Sequence, residues 1–197
     1  MRNIGNDHKV LLKEDVILLL HAARNEMEKA MIALAVGAGA SVSEMAELKV
    51  EDFVPHRYDI KLYNKKQGKY RTVTVTNVVS SILKRYLSQR KDVNPYFFPA
   101  RKPGGKTLGK WWEDPENVSN DESMAEIKIS AKLSQIIRKS GVENVTSYTL
   151  KWTAEFARNA RKERREEISA LAAILWVDNE KAEKIYEEYR GKFDIGM

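Results

Sequence analysis

Four basic side chains fall within one short polar segment of the sequence: Lys65, Lys66, Lys69 and Arg71. Ammonium and guanidinium groups gathered in this way can bind the phosphate groups of a nucleic acid. Residues 58–63 and 70–76 alternate apolar and polar side chains, which predicts two strands joined by a turn at Gly68. We therefore predict a basic β-hairpin that contacts DNA phosphates; the alternative is a hairpin whose charges serve only its solvation.

A second group of basic side chains lies in predicted helices of the C-terminal half. Lys151 follows closely on Ser147 and Thr149, either of which can begin a helix. This lysine either meets a phosphate or lies on the helix surface. The arginines between positions 158 and 165 alternate with glutamates at the i,i+4 spacing of intrahelical ion pairs. That spacing favours pairing within the helix over direct contact with DNA.

The composition of the chain favours some classes of function and excludes others. The 197 residues include 34 Lys and Arg against 28 Asp and Glu, a net charge of +6 that mildly favours a polyanionic partner. The absence of cysteine excludes disulfides and thiolate chemistry. The three histidines do not have metal-ligand spacing, so we expect no metal site. The longest apolar segments, 16–20 and 31–40, fall far short of the roughly 20 residues of a membrane span. We expect a cytoplasmic, DNA-associated protein.

The elements that must position these side chains are mostly helices. Patterning predicts an α+β domain, mostly α, with one small antiparallel β-sheet. We expect a single domain over 1–197, with an irregular loop at 93–122 and a C-terminal tail at 191–197. Asn25 is a candidate break between two N-terminal helices, and Ser41 or Ser43 a candidate cap for a short third helix. The other predicted helices span about 77–90, 124–140, 147–157, 168–177 and 181–189.

Five segments, in their order along the chain, resemble the characteristic boxes of the catalytic domain of tyrosine recombinases, the phage integrase superfamily. Residues 39–48 resemble a Gly-Leu-Arg-Ile-Ser-Glu-Leu box, and 65–71 resemble the family's lysine hairpin. Residues 148–153 resemble its His-x-Leu-Arg-His-Thr box. Residues 8–16 resemble the family's entry into its first helix. Leu175-Trp176 followed by Tyr186 resembles the family's Gly-His/Trp segment and its nucleophilic tyrosine. The resemblance begins almost at Met1, so we expect no N-terminal DNA-clamping domain.

The resemblance implies a fold, a reaction and a set of roles. In that family a tyrosine hydroxyl attacks a DNA phosphate, two arginines hold its oxygens, and no metal or cofactor takes part. Here it implies Lys66 as the hairpin lysine, Trp176 and Tyr148 as pocket residues, and Tyr186 as nucleophile, with Tyr189 as a nearby competitor.

Two departures fall where the family's arginines would lie. The first position is Ser41, which has no charge, and the second is Lys151, which lacks the bidentate guanidinium fork. Because a pentavalent phosphorus gathers negative charge, these replacements predict a degenerate active site.

Three hypotheses follow. The first is a duplex DNA-binding protein, regulatory or architectural on a mobile element or replicon, that has little or no strand-transfer activity. The second is an active recombinase that forms a phosphotyrosine through Tyr186, with Lys151 in place of one arginine and the other charge supplied by Arg71, Arg158 or a second subunit. The third is a protein-interaction module whose tail at 191–197 holds a homo-oligomer together.

Overall fold

The computed structural model describes residues 10–99, 122–175 and 177–193. The predicted class is confirmed, because these residues are mostly helical and include a small antiparallel sheet. The helices are α1 Lys13–Ala22, α2 Glu26–Ala33, α3 Val42–Glu47, α4 Asn77–Gln89, α5 Glu122–Ser140, α6 Ser147–Leu175 and α7 Asn179–Phe193. The strands are β1 Phe53–Val54, β2 Asp59–Asn64 and β3 Lys69–Thr74.

The chain divides into two compact units, 1–154 and 155–197, and the boundary falls within α6. The first unit has an extended apolar core to which the N-terminal helices, the sheet, α4 and α5 contribute; its fully buried members include Ile32, Leu62 and Leu133. In the second unit, the described side chains include a separate small core of Ile168, Ala172 and Ala182. The single domain expected over 1–197 stays a prediction.

The predicted break at Asn25 is confirmed. The Asn25 side chain accepts a hydrogen bond from the Glu28 backbone N–H and so caps α2. A π-helical segment, Leu34–Ala38, continues α2 and ends at Gly39, whose φ of 63° is left-handed. The chain then turns into α3, with Ser41 as its N-cap. Of the two predicted caps for α3, Ser41 is therefore the one used.

The predicted hairpin is confirmed as β2 and β3, paired antiparallel with Tyr63 opposite Tyr70. A two-residue strand, β1, adds to the other edge of β2, so that the sheet order is β1-β2-β3. The sequence pattern did not predict β1, because a strand of two residues is too short to show an alternation of apolar and polar side chains. Ile60, Leu62 and Val73 point into the core, which fixes the opposite face of the hairpin towards water.

The segment after α4 lacks regular structure over 90–99, as expected for the first part of the predicted loop; residues 100–121 lie outside the described residues. Arg90 nevertheless fastens this segment. Its guanidinium group donates to the carbonyl oxygens of Asn94 and Tyr96, each at 2.8 Å, and pairs with Asp92. Tyr86 donates its hydroxyl to the Phe97 carbonyl at 2.8 Å.

One prediction about the C-terminal half, that of two separate helices, was wrong. Residues 147–175 form one helix of 29 residues, whereas patterning predicted two. The linking stretch lacks an apolar stripe, but its arginine, lysine and glutamate residues are strong helix formers with no glycine or proline among them. The tail predicted from 191 begins as helix, because α7 continues through Gly191 to Phe193. One glycine costs a helix only about 1 kcal/mol.

Candidate functional site

A cleft of about 320 Å³ lies in the first unit where α3, α5 and α6 meet. It brings together Ser41, Tyr148 and Lys151, three positions that the sequence resemblance assigned to one site. They come from the beginning of α3 and the first two turns of α6. The cleft is lined by Ala40, Ser41, Val42, Ser43, Glu126, Leu133, Ser147, Tyr148 and Lys151.

Ser41 acts as a helix cap at this site. Its hydroxyl oxygen accepts a hydrogen bond from the Glu44 backbone N–H at 3.3 Å and donates to Glu44 Oε2 at 2.9 Å. The Ser41 backbone N–H donates to the same carboxylate oxygen at 2.7 Å, which completes a capping box. The Ser41 hydroxyl is thus engaged in forming α3, and the side chain brings no charge to the cleft.

Glu44 is buried and holds Arg71, the last basic residue of the hairpin. Arg71 Nε lies 2.8 Å from Glu44 Oε1, and Arg71 Nη2 lies 3.1 Å from Glu44 Oε2. Arg71 Nη2 also donates to the Gly39 carbonyl at 2.7 Å. The arginine predicted to contact DNA is therefore paired with a carboxylate and fastens β3 to the beginning of α3.

The pKa of Glu44 reflects this pairing. Burial alone would raise it, since a carboxylate is poorly solvated in the protein interior. The hydrogen bonds from Arg71 and from the Ser41 backbone, together with the charge of Arg71, outweigh burial and hold the pKa below its ordinary value. Glu44 is consequently ionised at neutral pH and balances the Arg71 charge.

Lys151 and Glu126 are the charged residues among the described side chains that line the cleft. Lys151 is half-buried, and Tyr148, one helical turn before it, is 54% exposed. One ammonium and one carboxylate give the lining a formal charge of zero. This cleft therefore offers much less positive potential than two guanidinium groups would.

The hairpin lysines lie on the surface. Lys66 and Lys69 are exposed, and neither pairs with a carboxylate within the described part of the chain. Lys65 Nζ lies 3.8 Å from Glu47 Oε1, and its side chain is 58% exposed. Surface pairs of this kind contribute roughly 0–1 kcal/mol, so Lys65 can exchange this partner for a phosphate at little cost.

Tyr186 belongs to the second unit, whereas the cleft belongs to the first. It is half-buried on α7 and packs against the small core of Ile168, Ala172 and Ala182. Trp176 and the side chain of Tyr189 lie outside the described residues. The predicted oligomer contact through 191–197 stays a prediction.

Sequence reasoning missed the charge pairing of Arg71 and the presence of Glu126 at the cleft. Arg71 and Glu44 are 27 residues apart, so no local spacing rule links them. Only the alternation of β3, which turns Arg71 to the same face as Val73, could have indicated that it points inward. Glu126 lies in a helix that the sequence predicted, but the sequence analysis assigned no role to this residue.

Two negative findings concern the described residues only. No group of three or more His, Asp or Glu side chains there is placed to hold a metal ion. None of the helices that the structure describes combines the length and apolar character required to cross a membrane.

Comparisons with known proteins agree with this geometry. The sequence model of the Phage integrase family matches residues 9–159. A tyrosine recombinase XerA of Pyrococcus horikoshii is 32% identical over 98 residues, which are 50% of this chain and 34% of that protein. The chain thus matches about a third of the length of this curated relative.

Solved structures show the same fold at lower identity. The crystal structure of XerA recombinase aligns with a TM-score of 0.55 and 22% identity over 77% of this chain and 51% of that one. The lambda integrase fragment 75–356 bound to DNA aligns with a TM-score of 0.50 and 12% identity, over 74% and 49% of the respective chains.

Proposed function

Because the chain belongs to the phage integrase family, we propose that it binds duplex DNA and has little or no strand-transfer activity. Its role would be regulatory or architectural. The observation that carries this proposal is the charge of the cleft: Ser41 is uncharged, Lys151 brings one positive charge, and Glu126 brings one negative charge. Losing one preorganised charge donor typically lowers a rate by roughly 10²–10³.

Arg71 is one of the predicted sources of the missing charge, and its pairing within the protein argues against that role. Its guanidinium group already satisfies Glu44 and the Gly39 carbonyl. Drawing Arg71 towards a phosphate would leave the Glu44 carboxylate buried and unpaired, which typically costs about 3–5 kcal/mol. The pairing therefore supports a protein that holds DNA without cutting it.

DNA binding is supported by the exposed lysines of the hairpin and by the lambda integrase structure, which is bound to DNA. With Arg71 paired internally, we expect about four phosphate contacts, from Lys65, Lys66, Lys69 and Lys151. Each neutralised phosphate releases counterions, so log K should fall with log salt at a slope of about −3.5.

Fluorescence anisotropy on a labelled duplex at several salt concentrations tests this expectation. The double variant Lys66→Ala/Lys69→Ala should bind more weakly and reduce the slope by about 2. Lys181→Ala, an exposed lysine of α7, is the matched control and should leave the slope unchanged. If wild type does not bind duplex DNA at low salt, the proposal is wrong.

An active recombinase is the second candidate, favoured by a cleft that still gathers the matching positions around Lys151. Protein and DNA fragments would be mixed and then washed with salt or with detergent. We expect salt to release the DNA. An adduct that survives detergent in wild type and in Tyr189→Phe, but is lost in Tyr186→Phe, would establish the active enzyme instead.

A further inference from the structure

The water-facing side of the hairpin has a pair of aromatic rings. Tyr63 and Tyr70 are directly opposite each other in the β2–β3 register. Their ring centroids are 4.9 Å apart, and the ring planes are tilted by 45°. Tyr70 is 63% exposed, so most of its surface is in contact with water. Large exposed aromatic side chains of this kind are typical of contact surfaces rather than of the protein interior.

Basic residues flank these two tyrosines along the hairpin. Lys61 lies two residues before Tyr63 and therefore on the same face of β2, and it is exposed. Lys65, Lys66 and Lys69 are exposed at the turn end of the hairpin. Aromatic rings among cations are the combination with which proteins hold unpaired nucleotides, since the rings stack on bases while the cations bind the backbone.

We propose that Tyr70, supported by Tyr63, is a stacking platform for an unpaired base of bound DNA. This inference rests on the proposed DNA binding and adds a preference to it. In a regular duplex each base is stacked between its neighbours and offers only its edge, so an aromatic ring has nothing to stack on. The platform therefore favours DNA that has a bulge or a gap over the same DNA fully paired.

A structural role for the pair makes a different prediction. Cross-strand aromatic pairs stabilise a hairpin by roughly 0.2–1 kcal/mol whether or not DNA is present. If stabilisation were the whole role of Tyr70, its loss would weaken binding to paired and bulged DNA equally, through the folding of the hairpin. The ratio of the two affinities separates these roles.

The experiment compares two labelled duplexes of identical sequence, one of which has a bulge of three unpaired nucleotides. Affinities are measured by anisotropy for wild type, Tyr70→Leu and Tyr70→Phe, and thermal unfolding is followed for each protein. Leucine keeps apolar volume but removes the ring, and phenylalanine keeps the ring. Phe156→Leu, which removes a ring that is 52% exposed on α6, is the matched control.

We expect wild type to bind the bulged duplex about 10-fold more tightly, the effect of one stacked base. Tyr70→Leu should abolish this preference while binding the paired duplex nearly as well as wild type. Tyr70→Phe and Phe156→Leu should retain it. Equal wild-type affinity for both duplexes would overturn the inference and leave the proposed function standing. Failure to bind either duplex would overturn both.

Discussion

The guanidinium group of Arg71 is satisfied within the protein by Glu44 and by the Gly39 carbonyl. The Glu44 carboxylate in turn accepts hydrogen bonds from the Ser41 backbone and hydroxyl groups. This arrangement links the Arg71–Glu44 ion pair to Ser41, which lines the cleft. At the scale of single residues, the charge of Arg71 thus serves the position of α3 and of the hairpin.

The acid sensitivity of this pair is predictable. Because the pKa of Glu44 is lowered in the folded protein, its stabilising effect is complete above the unfolded pKa and is lost as pH falls through the folded pKa. Glu44→Gln should therefore lower the unfolding free energy by about 2–3 kcal/mol at pH 7. The same substitution should cost much less at pH 3.

Urea unfolding of both proteins at the two pH values measures this difference. Glu51→Gln is the matched control, since its side chain is 76% exposed and its pair with Lys49 is a surface pair. This control should change stability by less than about 0.5 kcal/mol. A cost for Glu44→Gln that is equally large at pH 3 would show that the ion pair is not its cause.

Prediction from the sequence succeeded for residues whose placement depends on their neighbours in the chain. The exposed positions of Lys66 and Lys69 follow from a glycine-containing turn. The convergence of Ser41, Tyr148 and Lys151 on one cleft came from the family resemblance, because no periodicity connects α3 to α6. The Arg71–Glu44 pair escaped prediction because it depends on how two elements pack.

At the scale of elements, α6 positions three of the cleft residues, and its first turn depends on Thr146. Thr146 Oγ1 accepts a hydrogen bond from the Thr149 N–H at 3.2 Å, and Thr149 Oγ1 accepts one from the Thr146 N–H at 3.1 Å. This reciprocal pair is a threonine version of the capping box. Of the two residues predicted to begin this helix, Ser147 is the one that does, whereas the capping hydroxyl belongs to Thr146, which the sequence analysis did not name.

If Thr146 is the cap, alanine substitutions at 146 and 147 should lower the unfolding free energy by different amounts. Thr146→Ala leaves the Thr149 N–H without its acceptor and should lower the unfolding free energy by about 1 kcal/mol. Ser147→Ala, one position later, should change it by less than about 0.5 kcal/mol. Urea unfolding of the two variants provides the measurement. A larger loss for Ser147→Ala would mean that Ser147 is the true cap.

The continuity of α6 shows where patterning is weakest. Residues 158–167 have no apolar stripe, so the apolar periodicity is interrupted there and predicted two helices instead of one. Intrinsic propensity decides in such a stretch, and Arg164 adds ion pairs to Glu183 at 2.8 Å and to Glu187 at 2.7 Å on α7. A charged segment between two apolar helical patterns is therefore as consistent with one helix as with a loop.

At the scale of the whole molecule, the two units differ in the buried apolar side chains that the structure describes. Among these, the first unit has many large side chains, whereas the second has Ile168 and two alanines, with Val177 and Tyr186 packed against them. Local unfolding free energies follow buried apolar contact. We therefore expect the second unit, which includes Tyr186, to open more often than the first.

Hydrogen exchange read by mass spectrometry tests this expectation in a cavity variant of each unit. Ile168→Ala removes the largest buried side chain of the small core, a change that typically costs about 2–5 kcal/mol. It should abolish protection in α7 and leave α2 protected. Ile32→Ala, its counterpart in the first core, should lower protection in α2. If Ile168→Ala lowered protection in α2 as much as in α7, the chain would unfold as one cooperative unit, and Tyr186 would be held as firmly as the cleft itself.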